Sequence, residues 1–68
     1  MRVVLNGDPT ELPEGTTVRD AVTATGAPAE GRGVAVALDG EVVPRRAWDD
    51  APIREGQRVE VVQAVQGG

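Results

Sequence analysis

Short apolar runs, each closed by a pair of turn-forming residues, set the pattern of this chain. Arg2-Val3-Val4-Leu5-Asn6 is rich in β-branched residues and stops at Asn6-Gly7-Asp8-Pro9. Asn-Gly favours a two-residue hairpin turn because both central residues accept positive φ. The pattern therefore predicts an antiparallel second strand at Thr10-Glu11-Leu12-Pro13. Val3, Leu5 and Leu12 would face a core, with Arg2 and Val4 on the other side.

The period then changes. Glu14-Gly15-Thr16-Thr17-Val18 predicts a turn that feeds a helix, with Thr16 or Thr17 as N-cap and Asp20 in the first turn, where it complements the helix dipole. Val18, Ala21, Val22 and Thr25 recur at helical spacing and would pack on a sheet, and Gly26 with Pro28 ends the helix. Residues 27–33 are expected as a loop. Val34-Ala35-Val36-Ala37-Leu38 alternates large and small apolar groups and predicts a strand, followed by a second hairpin signal at Asp39-Gly40 and a return strand Glu41-Val42-Val43 that Pro44 halts. These two strands are expected in or near the middle of the sheet.

Arg45 through Pro52 has no sustained period beyond a single helical turn at Ala47-Trp48-Asp49-Asp50. Trp48, the lone aromatic, is expected to pack as a lid on the core. Asp49 and Asp50 read as a solvated turn, since a catalytic acid–base pair needs a substrate cleft that so short a chain does not supply. Ile53 enters the core, Glu55-Gly56 turns, and Arg58-Val59-Glu60-Val61-Val62-Gln63 forms the last strand with Val59 and Val61 inward. Val62 and Ala64 would lie on the face turned away from the helix, as a candidate partner surface.

The order strand, strand, helix, strand, strand, strand gives an α+β class: one main helix across one face of a small mixed sheet of about five strands. A parallel pairing of first and last strands would place both at the centre, which is the β-grasp, or ubiquitin-like, topology. Residues 1–68 then form a single domain.

Composition narrows the chemistry. A chain of 68 residues buries only about 60% of its unfolded surface, so the core is small. The net charge is −4, from seven Arg and eleven acidic residues without Lys or His. No basic footprint for nucleic acid or an anionic membrane is present. With no Cys and no His, thiolate catalysis, disulfides and ordinary zinc sites are excluded, and no side chain titrates near neutrality. Hence no catalytic residue and no metal site are assigned. No apolar run reaches the roughly 18 residues of a membrane span, and Met1-Arg2-Val3-Val4-Leu5 is not a signal peptide, so a cytoplasmic protein, monomeric when free, is expected.

What remains is Ala64-Val65-Gln66-Gly67-Gly68, which follows the last strand. Two glycines lack Cβ atoms and can pass through a channel too narrow for side chains. An α-carboxyl has an ordinary pKa of roughly 3.3–3.7, so at neutral pH it is an anion able to attack the α-phosphorus of ATP without a base of its own. A tail mobile from about residue 65 is expected, because glycines bury little to offset their ordering entropy.

Several phrases in order resemble the ThiS family, the sulfur carriers of thiamine (thiazole) biosynthesis: Leu5-Asn6-Gly7, Thr16-Thr17-Val18, Val34-Ala35-Val36-Ala37-Leu38, Val42-Val43-Pro44-Arg45 with Trp48, Glu55-Gly56, Val59-Glu60-Val61-Val62 and Gln66-Gly67-Gly68. The match spans the whole chain. Arg46 and Ala47 fall at a variable position, and Arg58 stands where the family often has an acidic residue or Gln.

The resemblance implies a cosubstrate rather than an enzyme. A ThiF-like adenylating enzyme would use ATP to adenylate the Gly68 carboxylate. Persulfide sulfur from a donor such as a cysteine desulfurase would displace the adenylate, leaving a C-terminal thiocarboxylate. Thiazole synthase, ThiG, would take that sulfur. Gln66, Gly67 and Gly68 would thread into partner active sites, and no cofactor would be stably bound. Three alternatives compete: a MoaD-like carrier for molybdopterin synthesis, a ubiquitin-like protein modifier, and a passive β-grasp interaction module that needs no Gly-Gly end. Without Lys, a modifier of this sequence could not form self-linked isopeptide chains.

Overall fold

A computed structural model of the protein describes residues 1–64. Strand β1 (Arg2–Leu5) turns through Asn6 and Gly7, at φ 50° and 85°, into β2 (Asp8–Glu11). Both turn residues are left-handed, as the Asn-Gly pair predicts. The second strand begins two residues earlier than Thr10, since a two-residue turn pairs Leu5 with Asp8 at once. Pro9, which would break an inner ladder, is tolerated because β2 is an edge strand. Leu12 lies just beyond the strand yet packs on the core with Leu5.

Helix α1 (Val18–Ala24) starts at Thr17, whose side chain accepts from the Asp20 amide while the Asp20 carboxylate accepts from the Thr17 amide. This reciprocal capping satisfies two otherwise orphaned donors. Val18, Ala21 and Val22 are buried as the spacing predicts, but Thr25 is exposed. It is the C-cap, and its hydroxyl donates back to the Val22 carbonyl at 2.7 Å. Ala27, expected in the loop, is buried in the core.

Strand β3 (Val34–Leu38) reverses through Asp39 and Gly40, again left-handed, into β4 (Glu41–Val43). A 3-10 helix, Arg45–Asp50, extends the single predicted turn by two residues, and β5 (Arg58–Gln63) follows. The sheet order is β2-β1-β5-β3-β4. The expectation that β3 and β4 lie near the middle is half corrected: β3 is interior, but β4 forms the outer edge. The centre belongs to β5, parallel to β1 and antiparallel to β3. This is the five-stranded β-grasp arrangement.

One side of the sheet meets α1 and the 3-10 helix. Val3, Val36 and Val59 from the strands pack with Val18, Val22, Ile53 and Trp48. Trp48 is 1% exposed, and its indole N–H donates to the Val43 carbonyl at 2.9 Å, so its apolar body and its polar tip are both satisfied. Asp49 is not merely solvated. Its carboxylate accepts from Arg19 Nε at 2.7 Å, and the Arg19 guanidinium lies 5.4 Å from the Trp48 ring centre. The same guanidinium donates to the Ala29 carbonyl, which ties helix, lid and loop together.

Candidate functional site: the base of the C-terminal tail

Gln66, Gly67 and Gly68, and the expected mobility from residue 65, lie outside the described residues. What the structure describes is the base from which they leave. Strand β5 is paired with β3 throughout, from Leu38 opposite Val59 to Val34 opposite Gln63. The Ala64 amide continues that edge by donating to the Gly33 carbonyl at 2.7 Å.

On its other side β5 runs out of backbone partners. The parallel ladder with β1 covers Val4–Arg58 and Leu5–Val59, because β1 then turns away at Asn6. The Asn6 amide still donates to the Val59 carbonyl at 2.9 Å. One step further, the Asn6 side-chain oxygen accepts from the Val61 amide at 2.8 Å. A single residue thus makes the tight turn and extends the ladder that holds the tail's strand. The Asn-Gly signal announces the turn; nothing local announces a bond across 55 positions.

The side of the sheet opposite the helix carries an apolar surface. Cross-strand pairing sets Val62 beside Ala35, and Val42 beside Ala37. Val62 is 62% exposed and Val42 75% exposed. Ala64 is exposed as well. Val62 and Ala64 therefore share the accessible side and line a shallow groove at the tail's base with Gly31, Gly33, Ala35 and Arg45. On the opposite flank of Ala64, a second depression is bounded by Arg32, Gly33 and Gln63. Val42, Arg32 and Arg45 were not singled out by sequence pattern; only the fold brings them to this surface.

The Asp39 carboxylate serves the scaffold. Asp39 is held below the usual carboxylate range, first by the Arg58 amide at 2.9 Å and then by the Gln57 side-chain amide at 3.2 Å. Hydrogen bonds to the charged form favour ionisation, and here they clamp the β3–β4 turn to the start of β5. Among the described residues, no group of three or more His, Cys, Asp or Glu could hold a metal. No described helix is long and apolar enough to cross a membrane.

Comparison with known proteins agrees with this geometry. The model of the ThiS family matches residues 3–68. A curated relative from Thermus thermophilus, described as sulfur carrier protein ThiS, is 42% identical over 66 residues, covering 97% of this chain and 98% of the relative. Two solved structures of a thiamine biosynthesis protein from Geobacter metallireducens superpose on the whole chain. The crystal structure, described as ThiS, has a TM-score of 0.80 at 31% identity and is covered over 100% of its length. The solution structure has a TM-score of 0.82 at 30% identity and is covered over 88%. With fold, length and sequence in agreement, the chain belongs to the ThiS family.

Proposed function

We propose that this protein is a sulfur carrier of thiamine biosynthesis, with Gly68 as the atom-bearing end. The observation that supports it is the position of β5: the central strand of the sheet leads directly toward Gln66-Gly67-Gly68. β3 pairs with that strand up to Gln63, and on the other side β1 pairs as far as Val59 and the Asn6 side chain holds Val61, so a partner that grips the domain fixes the origin of the tail.

In the adenylation step, the Gly68 carboxylate oxygen attacks the α-phosphorus of ATP, and pyrophosphate leaves with the bonding electrons. Persulfide sulfur then attacks the acyl carbon, a C–S bond forms, and AMP departs. Reductive cleavage of the resulting S–S link, by a thiol of the donor system, leaves the thiocarboxylate. The carrier supplies no acid or base to any of these steps. Its contribution is placement, which converts encounters between bulky partners into reactions of one positioned carboxylate. ATP belongs to the ThiF-like enzyme, the sulfur comes from a donor such as a cysteine desulfurase, and thiazole synthase is the consumer. The protein works in the cytoplasm as a cosubstrate without a stably bound cofactor.

Adding Ala after Gly68 separates this function from a passive module. ATP–pyrophosphate exchange by the adenylating enzyme is expected with the unextended chain and lost with the extended one. Equal exchange by both chains would reject Gly68 as the site. Appearance of isopeptide-linked targets would favour a protein modifier instead.

A further inference from the structure

The groove at the tail's base contains a cation with no carboxylate partner. Among the described residues, Arg2 pairs with Glu11 and Arg19 with Asp49, whereas Arg45, like Arg32, Arg46, Arg54 and Arg58, has no acidic side chain within ion-pair distance, and of these five Arg45 is the one that lines the groove beside Val62 and Ala64. Its Nη1 stands 3.4 Å from the Glu30 carbonyl, a weak contact. In a chain of net charge −4, an arginine beside an apolar groove at the tail's base offers a cation there for a partner carboxylate.

The stem of Arg45 also packs against Gly31. A Cβ on Gly31 would lie 2.8 Å from Arg45 Cδ and 2.5 Å from the Trp48 ring. The arginine stem therefore occupies space that only glycine leaves free, against an indole that is fully packed. An arginine whose stem is packed loses less rotamer freedom on binding than one whose whole side chain swings in solvent. Its planar donors fit a carboxylate two at a time.

We infer that Arg45 and the Val62–Ala64 groove form a docking site for an acidic, apolar patch of the adenylating enzyme, in which a partner Asp or Glu pairs with Arg45 while an adjoining aliphatic side chain enters the groove. Local charge selects this occupant: Arg45 presents a guanidinium without a carboxylate partner at the rim of the apolar groove, so a partner carboxylate beside an aliphatic side chain matches both features. The site thereby sets which end of the domain faces the catalytic centre. This inference rests on the proposed carrier function for the identity of the partner.

The test compares wild type, R45E, R45K and the remote control R54E, which precedes β5 at the end opposite the tail. Binding to the adenylating enzyme is measured by calorimetry, and adenylation by pyrophosphate release. R45E is expected to weaken binding and raise KM by about tenfold or more with little change in kcat, the pattern of a lost interfacial charge pair. R45K should fall between, R54E should stay near wild type, and added salt should narrow the gap between wild type and R45E. Thermal unfolding of each variant shows whether the fold is retained.

R45E binding as tightly as wild type would overturn the inference, as would an equal loss in R45E and R54E, or a fall in kcat at unchanged KM. If wild type binds the enzyme but is not adenylated, the carrier function fails while the binding comparison still decides the docking site. If wild type does not bind at all, both fail.

Discussion

Asn6 carries two separable burdens, and substitution can weigh each. Its φ of 50° places it in the left-handed region, which costs an ordinary L-residue roughly 1–2 kcal/mol and asparagine less. Its side-chain oxygen also accepts from the Val61 amide at 2.8 Å, a bond worth about 0.5–1.5 kcal/mol net at a site that water can reach. Asn6→Ala loses both and should destabilise by about 2 kcal/mol. Asn6→Gly keeps the turn and loses only the bond, for about 1 kcal/mol or less. Asn6→Asp keeps the acceptor and tolerates the turn, and should stay within about 0.5 kcal/mol of wild type at neutral pH.

A domain of this size has roughly 3–10 kcal/mol in all, so the alanine variant would lose a large share. Urea unfolding followed by fluorescence of Trp48, the only tryptophan, gives the values. With a slope of about 1 kcal/mol per molar urea, the midpoint should fall by about 2 M for alanine. Amide exchange adds a local readout: Val61 should exchange faster in both the alanine and glycine variants. A glycine variant as unstable as alanine would refute the left-handed cost. An aspartate variant as unstable as alanine would refute the side-chain bond.

Other outcomes follow from the same geometry. Gly31→Ala forces a Cβ to within 2.5 Å of Trp48 at a φ of 78° and should cost at least about 2 kcal/mol, with altered tryptophan emission; unchanged stability would mean that the loop is free to move. Trp48→Phe should cost about 2 kcal/mol or more in urea unfolding followed by circular dichroism, since it leaves a cavity and removes the indole's hydrogen bond to the Val43 carbonyl. The Asp39 carboxyl is depressed in the folded state, so its stabilisation is present above the ordinary carboxylate range and is lost as pH falls through that range to the lowered value. Asp39→Asn should therefore flatten the acid limb of stability against pH, and an acid limb identical to wild type would contradict the clamp.

Local chemistry made much of the fold legible. Asn6-Gly7 and Asp39-Gly40 each demand left-handed pairs and both form hairpins, while Val18, Ala21 and Val22 share one buried stripe. Ile53, Val59 and Trp48 entered the core as their apolar bodies required. Sheet order was harder. Glu41-Val42-Val43 looks like an interior strand because Val42 and Val43 are apolar, yet it lies at an edge with Val42 exposed. Lateral position depends on which distant strand wins the neighbouring place, and β5 claims the centre by pairing on both sides. The site divides the same way. Val62 and Ala64 could be placed on the accessible side by alternation alone, but Arg45 joins them only because Gly31 and Trp48 seat its stem there. The Arg19–Asp49 pair likewise joins residues 30 positions apart and leaves no periodic trace.

The central claim is that Gly68 carries sulfur, and intact-mass spectrometry with backbone fragmentation tests it most directly. The chain is incubated with a competent adenylating enzyme, ATP and a persulfide donor, then fragmented from its C-terminus. The account predicts the mass gain of one oxygen exchanged for sulfur, confined to fragments that contain Gly68. An unchanged mass, or sulfur located on fragments that lack Gly68, would contradict it.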